Sequence, residues 1–102
     1  MKPEQQSEII RRLRCAAGHL NAVVEMAETG QPCEQILQQI HAVQAALRAV
    51  GIKIIEYQAE SSHDVILNSS SVKERTAELQ HLQSLYRILV QQYSHKNEVI
   101  YE

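Results

Sequence analysis

Residues that break helices are scarce in this chain. Its 102 residues include only three glycines and two prolines, at Pro3, Gly18, Gly30, Pro32 and Gly51. The sequence between them is rich in Gln, Ala, Glu and Leu, which favour helix. An all-α fold with long helices is therefore predicted. The length suffices for one domain, so we expect residues 1–102 to form a single helical domain.

The breakers divide the chain into three predicted helices. Pro3 is favourable in the first turn of helix one, and Gly30 can take the left-handed conformation after its last turn. Asn68 and the three serines that follow form the clearest break, and Ser71 with Glu74 predicts a capping box for helix three. The predicted bounds are about 3–29, 32–63 and 71–94, with a frayed or extended tail over 95–102.

Apolar residues recur in each predicted helix at alternating spacings of three and four, the pattern of a packing seam. Three helices with one narrow seam each make an incomplete bundle. Helices one and two are therefore expected to pair with a second copy as an antiparallel four-helix bundle. The seam residues are Ile9, Leu13, Ala16, Leu20, Val23 and Ala27 in helix one, Ile36, Ile40, Val43, Leu47, Val50, Ile54 and Tyr57 in helix two, and Leu79, Leu82, Tyr86, Leu89 and Tyr93 in helix three.

Composition argues against several classes of protein. No apolar run approaches the roughly 18 residues that span a bilayer, and a secretion signal is not predicted, because no charged segment followed by an apolar one opens the sequence. The two cysteines, Cys15 and Cys33, are predicted to be reduced thiols in a cytoplasmic protein. An enzyme is the least favoured class, because the sequence shows no Ser-His-Asp, paired-carboxylate or phosphate-loop pattern.

Basic residues cluster in helix one although the formal net charge is −2. Arg11, Arg12 and Arg14 lie within one turn, and Arg48 and Lys53 add positive charge on helix two. On an antiparallel dimer they could share one broad face. Such a face would contact DNA phosphates, with an affinity that falls steeply as salt rises. The alternative is a solvated basic stripe.

Two blocks of sequence carry a resemblance to a known family. One is Arg12-Leu13-Arg14 followed by Gly18-His19-Leu20, and the other runs from Pro32 and Cys33 to Leu47 and ends in Ile54-Ile55-Glu56. Together, over roughly residues 8–67, they resemble the CsoR/RcnR/FrmR family of small helical transcriptional repressors.

The resemblance implies a homotetramer, a dimer of dimers, that binds operator DNA and releases it when an effector reaches a thiol site. Typical effectors of the family are copper(I), nickel or cobalt, formaldehyde and sulfane sulfur. Arg12 and Arg14 match first-helix basic residues that contact the operator, whereas Ala49 stands where some members have arginine. Cys15 matches a position that is usually basic or polar, so we expect it to serve packing.

By the same resemblance Cys33 is the sensing cysteine at the start of helix two. Gln58 and Ser62 stand where metal sensors have His and then Cys or His. Neither is a ligand for a soft metal beside a thiolate, because copper(I) prefers thiolate and imidazole. The usual metal-ligand set is thus incomplete, and effector sensing is expected to centre on a lone Cys33. The structural alternative is that Cys33 is a small apolar residue in a buried first turn.

A transition-metal ion is left open as a cofactor, and no other cofactor is predicted. Its candidate ligands are Cys33 with His63 or His41. His63 lies about 100° around the helix from Ser62, and His41 lies about 12 Å along the helix axis from Cys33. A persulfide bridge would need a cysteine near position 62. The formaldehyde branch uses an exposed N-terminal proline, but Lys2 precedes Pro3 in this chain.

The sequence leaves one alternative function from another class. A divergent family member could retain the oligomeric bundle, lose ligand sensing or DNA binding, and act as a protein-interaction scaffold. Its long polar faces would carry that role through the glutamines Gln35, Gln38, Gln39 and Gln44. Low net basicity favours this alternative, whereas the arginines of helix one oppose it.

Overall fold

The computed structural model describes residues 1–101, and the side chains of residues 1–91. Its three helices are α1 (Pro3–Glu28), α2 (Cys33–Asn68) and α3 (Val72–Tyr101). No strand occurs within residues 1–101, so the all-α prediction is confirmed. None of the helices, over these described residues, is long and apolar enough to cross a bilayer.

Two of the predicted helix bounds are wrong. Helix α2 continues past residue 63 to Asn68, and the N–H of Ser69 still bonds the carbonyl of Val65 at 3.2 Å. The segment expected to be a tail is helical in the backbone as far as Tyr101, while Glu102 lies outside the described residues. Both extensions have the same cause: neither stretch contains a glycine or proline to end the helix.

The turn between α1 and α2 is closed by backbone hydrogen bonds around Gly30. The N–H of Gly30 bonds the carbonyl of Ala27 at 3.2 Å, and the N–H of Gln31 bonds the carbonyl of Met26 at 3.0 Å. These two bonds form a Schellman motif. Gly30 has a φ of 71°, the left-handed conformation that a residue without Cβ adopts easily, so its predicted role is confirmed.

Contacts group the chain into two compact units, Lys2–Lys53 and Ile54–Glu102 with Met1. The expectation of a single domain stays a prediction. In the first unit the core is small and lies between α1 and the N-terminal part of α2. A bond of 2.7 Å between Nε2 of His19 and Oε1 of Gln39 adds a polar link between these helices. The buried side chains of this core are Ile9, Ala16, Val23, Val43 and Val50.

The predicted seams of α1 and α2 are only half buried within one chain. Buried and exposed members alternate from Ile9 to Ala27 in α1, and buried or half-buried members alternate with exposed ones from Ile36 to Val50 in α2. Leu13 and Leu20 of α1 are 42% and 49% exposed, and Ile40 and Leu47 of α2 are 37% and 47% exposed. These four residues, here called the apolar stripe, leave apolar surface uncovered in a single copy.

The second unit contains the end of α2 and α3, joined by a serine-rich turn. The N–H of Glu74 donates to Oγ of Ser71 at 3.2 Å, which is the N-cap bond that the sequence predicts. The reciprocal bond differs from a capping box. The N–H of Ser71 donates to Oγ of Ser69 at 3.2 Å, and the Ser69 hydroxyl donates to Oε2 of Glu74 at 3.0 Å. Ser69 thus stands between the two groups that would pair directly.

Candidate DNA-contact and effector positions

Two of the three α1 arginines that are predicted to contact DNA are bound to one carboxylate. Nε and Nη2 of Arg11 donate to Oε2 and Oε1 of Glu8 at 2.9 and 2.7 Å. Nε of Arg12 donates to Oε1 of Glu8 at 2.8 Å. Spacings of three and four residues put the three side chains on neighbouring turns of one helix face. Hydrogen bonds donated by Arg11 and, to a smaller extent, by Arg12 lower the pKa of Glu8 from 4.5 to about 2. The same bonding to the Glu8 carboxylate raises the pKa of Arg11.

The third arginine of the cluster, Arg14, is exposed. It lines a shallow surface groove with Ser7, Ile10, Arg11 and Cys15. Among the described residues Arg14 makes no ion pair, so its guanidinium is available to an anion. Cys15 is exposed in the same groove, which does not agree with the packing role expected for it in a single chain.

The two basic residues of α2 are less exposed than Arg11 and Arg14 of α1. Arg48 and Lys53 are half-buried, and each makes a polar or electrostatic interaction within the chain. Their neighbour Ala49 is exposed. All five predicted DNA-contact residues belong to the unit Lys2–Lys53. The shared face expected on a dimer stays a prediction.

Cys33 is the first residue of α2, and its thiol is exposed. The carbonyl of Pro32 accepts the N–H groups of Gln35 and Ile36 at 3.0 and 3.2 Å, so Pro32 stands at the N-cap and Cys33 in the first turn. An exposed thiol does not fit the alternative that Cys33 is a buried apolar residue. Its position leaves the sulfur accessible to a small molecule from solvent.

Gln58 and Ser62 are joined by a residue that the sequence analysis missed, Glu78 of α3. Ser62 is 0% exposed, and its hydroxyl donates to Oε1 of Glu78 at 2.5 Å. Nε2 of Gln58 donates to Oγ of Ser62 at 3.1 Å and to Oε1 of Glu78 at 3.4 Å. We call these three residues the polar cluster. Its members satisfy one another, as buried polar groups require.

The seam of α3 differs from the predicted one, which explains why Glu78 was missed. Leu79 and Tyr86, expected to be buried, are 46% and 62% exposed. The side chain of Tyr93 lies outside the described residues. A seam with spacings of four, three and four residues is present in α3. Its first member is a glutamate, so a pattern of apolar residues alone does not include it. Its half-buried members are Glu78, Leu82, Leu85 and Leu89.

The residues at these positions do not fit a soft metal ion. The polar cluster offers an amide, a hydroxyl and a carboxylate, whereas copper(I) prefers thiolate and imidazole. His41 and His63 are both exposed, and Nδ1 of His63 lies 3.8 Å from Oδ1 of Asp64. Among the described side chains, no three or more His, Cys, Asp or Glu residues are grouped as a metal site would require. The pairing of Cys33 with His63 or His41 stays a prediction.

A helical chain with arginines on its first helix and an exposed thiol opening its second fits a class of small helical regulators. The chain belongs to the family of metal-sensitive transcriptional repressors, because the sequence model of that family matches residues 5–91. The resemblance to the CsoR/RcnR/FrmR family is thereby confirmed. Members of this family are transcriptional repressors rather than enzymes.

Two relatives illustrate the likeness. The chain is 29% identical over 76 residues to the copper-sensing transcriptional repressor CsoR of Bacillus subtilis, covering 74% of this chain and 75% of CsoR. Its fold is similar to a solved variant of the formaldehyde-responsive regulator FrmR from Salmonella enterica serovar Typhimurium. That comparison has a TM-score of 0.70 and 27% identity, and covers 86% of this chain and 97% of the other.

Proposed function

We propose that this protein is a cytoplasmic, DNA-binding transcriptional repressor whose effector acts on the lone thiol of Cys33. The observation that carries the proposal is the contrast between Cys33 and the positions that would complete a metal site. The thiol is exposed at the first residue of α2, whereas Gln58 and Ser62 are engaged by Glu78. A chain of this family with an accessible thiol at the start of α2 and no soft partner at positions 58 and 62 suits an effector that needs one sulfur.

The proposed DNA surface is the basic part of the unit Lys2–Lys53. Arg14 is exposed, and Arg11 is 62% exposed in its side chain despite its bonds to Glu8. Arg12, Arg48 and Lys53 would add charge from the same unit. Guanidinium groups suit phosphate because they offer paired N–H donors. Binding would therefore rest largely on phosphate contacts and would weaken strongly with salt.

The proposed assembly is a homotetramer, a dimer of dimers. The apolar stripe supports association, because Leu13 and Leu20 on α1 and Leu47 on α2 leave large apolar side chains in water. Full burial of an exposed leucine is worth roughly 1.5–3 kcal/mol, and because these side chains are already about half covered, each contributes roughly 1 kcal/mol when covered. A second copy in antiparallel orientation would cover the stripe with its own and would double the basic surface offered to an operator.

The effector is proposed to bind or modify the Cys33 sulfur directly. Copper(I) held by the set that metal sensors use would require replacement of an amide and a hydroxyl that are bonded to Glu78. An electrophile or a sulfur donor needs only the thiol. Addition to an exposed residue in the first turn of α2 would change the charge and bulk at the start of that helix, where the backbone N–H groups favour negative charge.

The test is fluorescence anisotropy of a labelled promoter fragment from the gene's own neighbourhood, titrated with protein over a salt series. We expect binding that weakens steeply as salt rises and is reversed by a thiol-reactive effector. Cys33→Ala should bind the same fragment but lose the effector response. Cys15→Ala is the matched control, because it removes the other exposed thiol, and it should respond as the natural sequence does.

Two results would contradict parts of the proposal. No binding at low salt, from protein shown to be folded and tetrameric, would favour the alternative of a scaffold with exposed glutamines such as Gln35, Gln38 and Gln44. If Cys33→Ala binds DNA and still responds to the effector, the repressor proposal stands but Cys33 is not the sensor.

A further inference from the structure

We propose that Glu8 limits the DNA affinity of this protein by holding Arg11 and Arg12 on its carboxylate when DNA is absent. The inference rests on the proposed DNA binding, and it assigns to an acidic residue of the DNA-contact helix a role in setting how tightly the operator is held. A phosphate that reaches either arginine must displace, or share, the carboxylate already bound there.

The geometry of the three side chains carries this inference. Both oxygens of Glu8 are occupied, Oε1 by donors from Arg11 and Arg12 and Oε2 by a second donor from Arg11. A carboxylate and a phosphate present similar pairs of oxygens to a guanidinium, so both ligands compete for the same N–H donors. Glu8 therefore occupies, within α1, the donors that a phosphate would use.

The partial burial of Glu8 and Arg12 and the charge of the Glu8 carboxylate also support competition with phosphate. The Glu8 side chain is 29% exposed and that of Arg12 is 38% exposed, so part of this group is shielded from water. The low pKa of Glu8, about 2, means that the carboxylate is charged at any pH where DNA binding would be measured. The three side chains together carry a single positive charge instead of the two that the arginines would carry alone. Arg14, one turn further along the exposed groove, has no such carboxylate among the described residues.

The experiment compares Glu8→Gln with Glu4→Gln in the anisotropy assay over a salt series. Both variants remove one negative charge from α1, but only the first removes the carboxylate that binds the arginines. Exposed ion pairs are weak and screened by solvent, so we expect a modest gain: Glu8→Gln should bind about three- to tenfold more tightly than Glu4→Gln. The slope of log affinity against log salt should steepen by about 1 to 2 for Glu8→Gln, one phosphate for each arginine released.

A third variant ties the gain to the arginines. In Glu8→Gln combined with Arg11→Gln and Arg12→Gln, the gain should vanish relative to Arg11→Gln with Arg12→Gln alone. Helix content and mass of every variant are checked by circular dichroism and light scattering. If Glu8→Gln and Glu4→Gln bind equally, or if Glu8→Gln binds more weakly, the inference is overturned while the repressor stands. If no variant binds DNA, the proposed function itself fails.

Discussion

Ser62 of α2 and Glu78 of α3 are joined by a hydrogen bond of 2.5 Å from a hydroxyl that is fully buried to a carboxylate that is half-buried. Gln58 donates to both residues, so the polar cluster has a donor or acceptor for each of its members. Such a cluster fixes the register of two helices, because a shift of either helix would leave a buried polar atom without its partner. The family resemblance assigns ligand roles to positions 58 and 62, but in this chain they link α2 to α3.

Removal of the Ser62 hydroxyl should destabilise the protein through Glu78. Ser62→Ala removes the shortest hydrogen bond of the carboxylate, and a hydrogen bond to a charged group is worth about 1.5–3 kcal/mol. The free energy of unfolding is measured by urea denaturation at fixed protein concentration. Ser61→Ala, at the exposed neighbouring position, is the control and should change stability by less than about 0.5 kcal/mol.

The same pair gives a double-mutant cycle. Ser62→Ala combined with Glu78→Ala removes both partners, so the loss should be smaller than the sum of the two single losses. A strictly additive result would show that the two side chains do not interact in solution, and the polar cluster would have to be abandoned.

Two glycines should respond to alanine in opposite ways. Gly30→Ala places a side chain at a φ of 71°, which should cost about 1–2 kcal/mol. Gly18→Ala lies within α1, where an added Cβ meets nothing within 4 Å, so better helix propensity should stabilise the chain by up to about 1 kcal/mol. Thermal unfolding of both variants and of the natural sequence measures whether each substitution lowers or raises the melting temperature. Equal effects would mean that the left-handed turn does not form.

The ion pairs of Glu8 should make stability depend on acid pH. The pKa of Glu8 is lowered from 4.5 to about 2 by its hydrogen bonds with Arg11 and Arg12. Because this pKa is lower in the folded state than in the unfolded state, the ionised carboxylate stabilises the fold at a pH above about 4.5. This stabilisation is lost as the pH falls from about 4.5 towards 2. The melting temperature of the natural sequence should exceed that of Glu8→Gln at pH 6, and the difference should shrink below about pH 4.5 until little of it is left near pH 2. A difference that stays constant over this range would contradict the pairing.

Association should depend on the apolar stripe. Leu13→Gln and Leu20→Gln replace leucines that are 42% and 49% exposed in one chain, so they should lower the oligomeric mass at micromolar concentration. Sedimentation velocity measures that mass. Val72→Gln is the control, because Val72 is 70% exposed at the start of α3 and lies outside the stripe. If the leucine variants keep the mass of the natural sequence, the stripe is not the interface.

The sequence predicted most of what depends on local chemistry. The three helices, the left-handed Gly30 and the N-cap bond of Ser71 follow from propensities and turn signals that act over a few residues. The predicted end of α2 at about residue 63 is five residues too early. Helix needs no apolar residue to continue, and without a glycine or proline the hydrogen-bonded ladder continues to Asn68.

The site was less accessible to sequence reasoning, for a different physical reason. Glu78 is joined to Ser62 by a contact between residues 16 positions apart, and nothing in the local pattern indicates it. The clue lay in the spacing of Leu82, Leu85 and Leu89, which continues backwards to Glu78. A carboxylate at the head of an apolar seam indicates that a polar partner faces it, and Ser62 and Gln58 are that partner.

The alternation along α1 bears on partner choice. Ile9, Ala16 and Val23 face inward at intervals of seven residues, while Leu13 and Leu20 repeat with the same period on the outer edge. Leucines that repeat with this regular period give little partner specificity, because any chain with the same repeat can pack against them. In a cell that makes several such chains, the polar side chains that border the leucines would decide whether a chain pairs with its own copy or with a related protein.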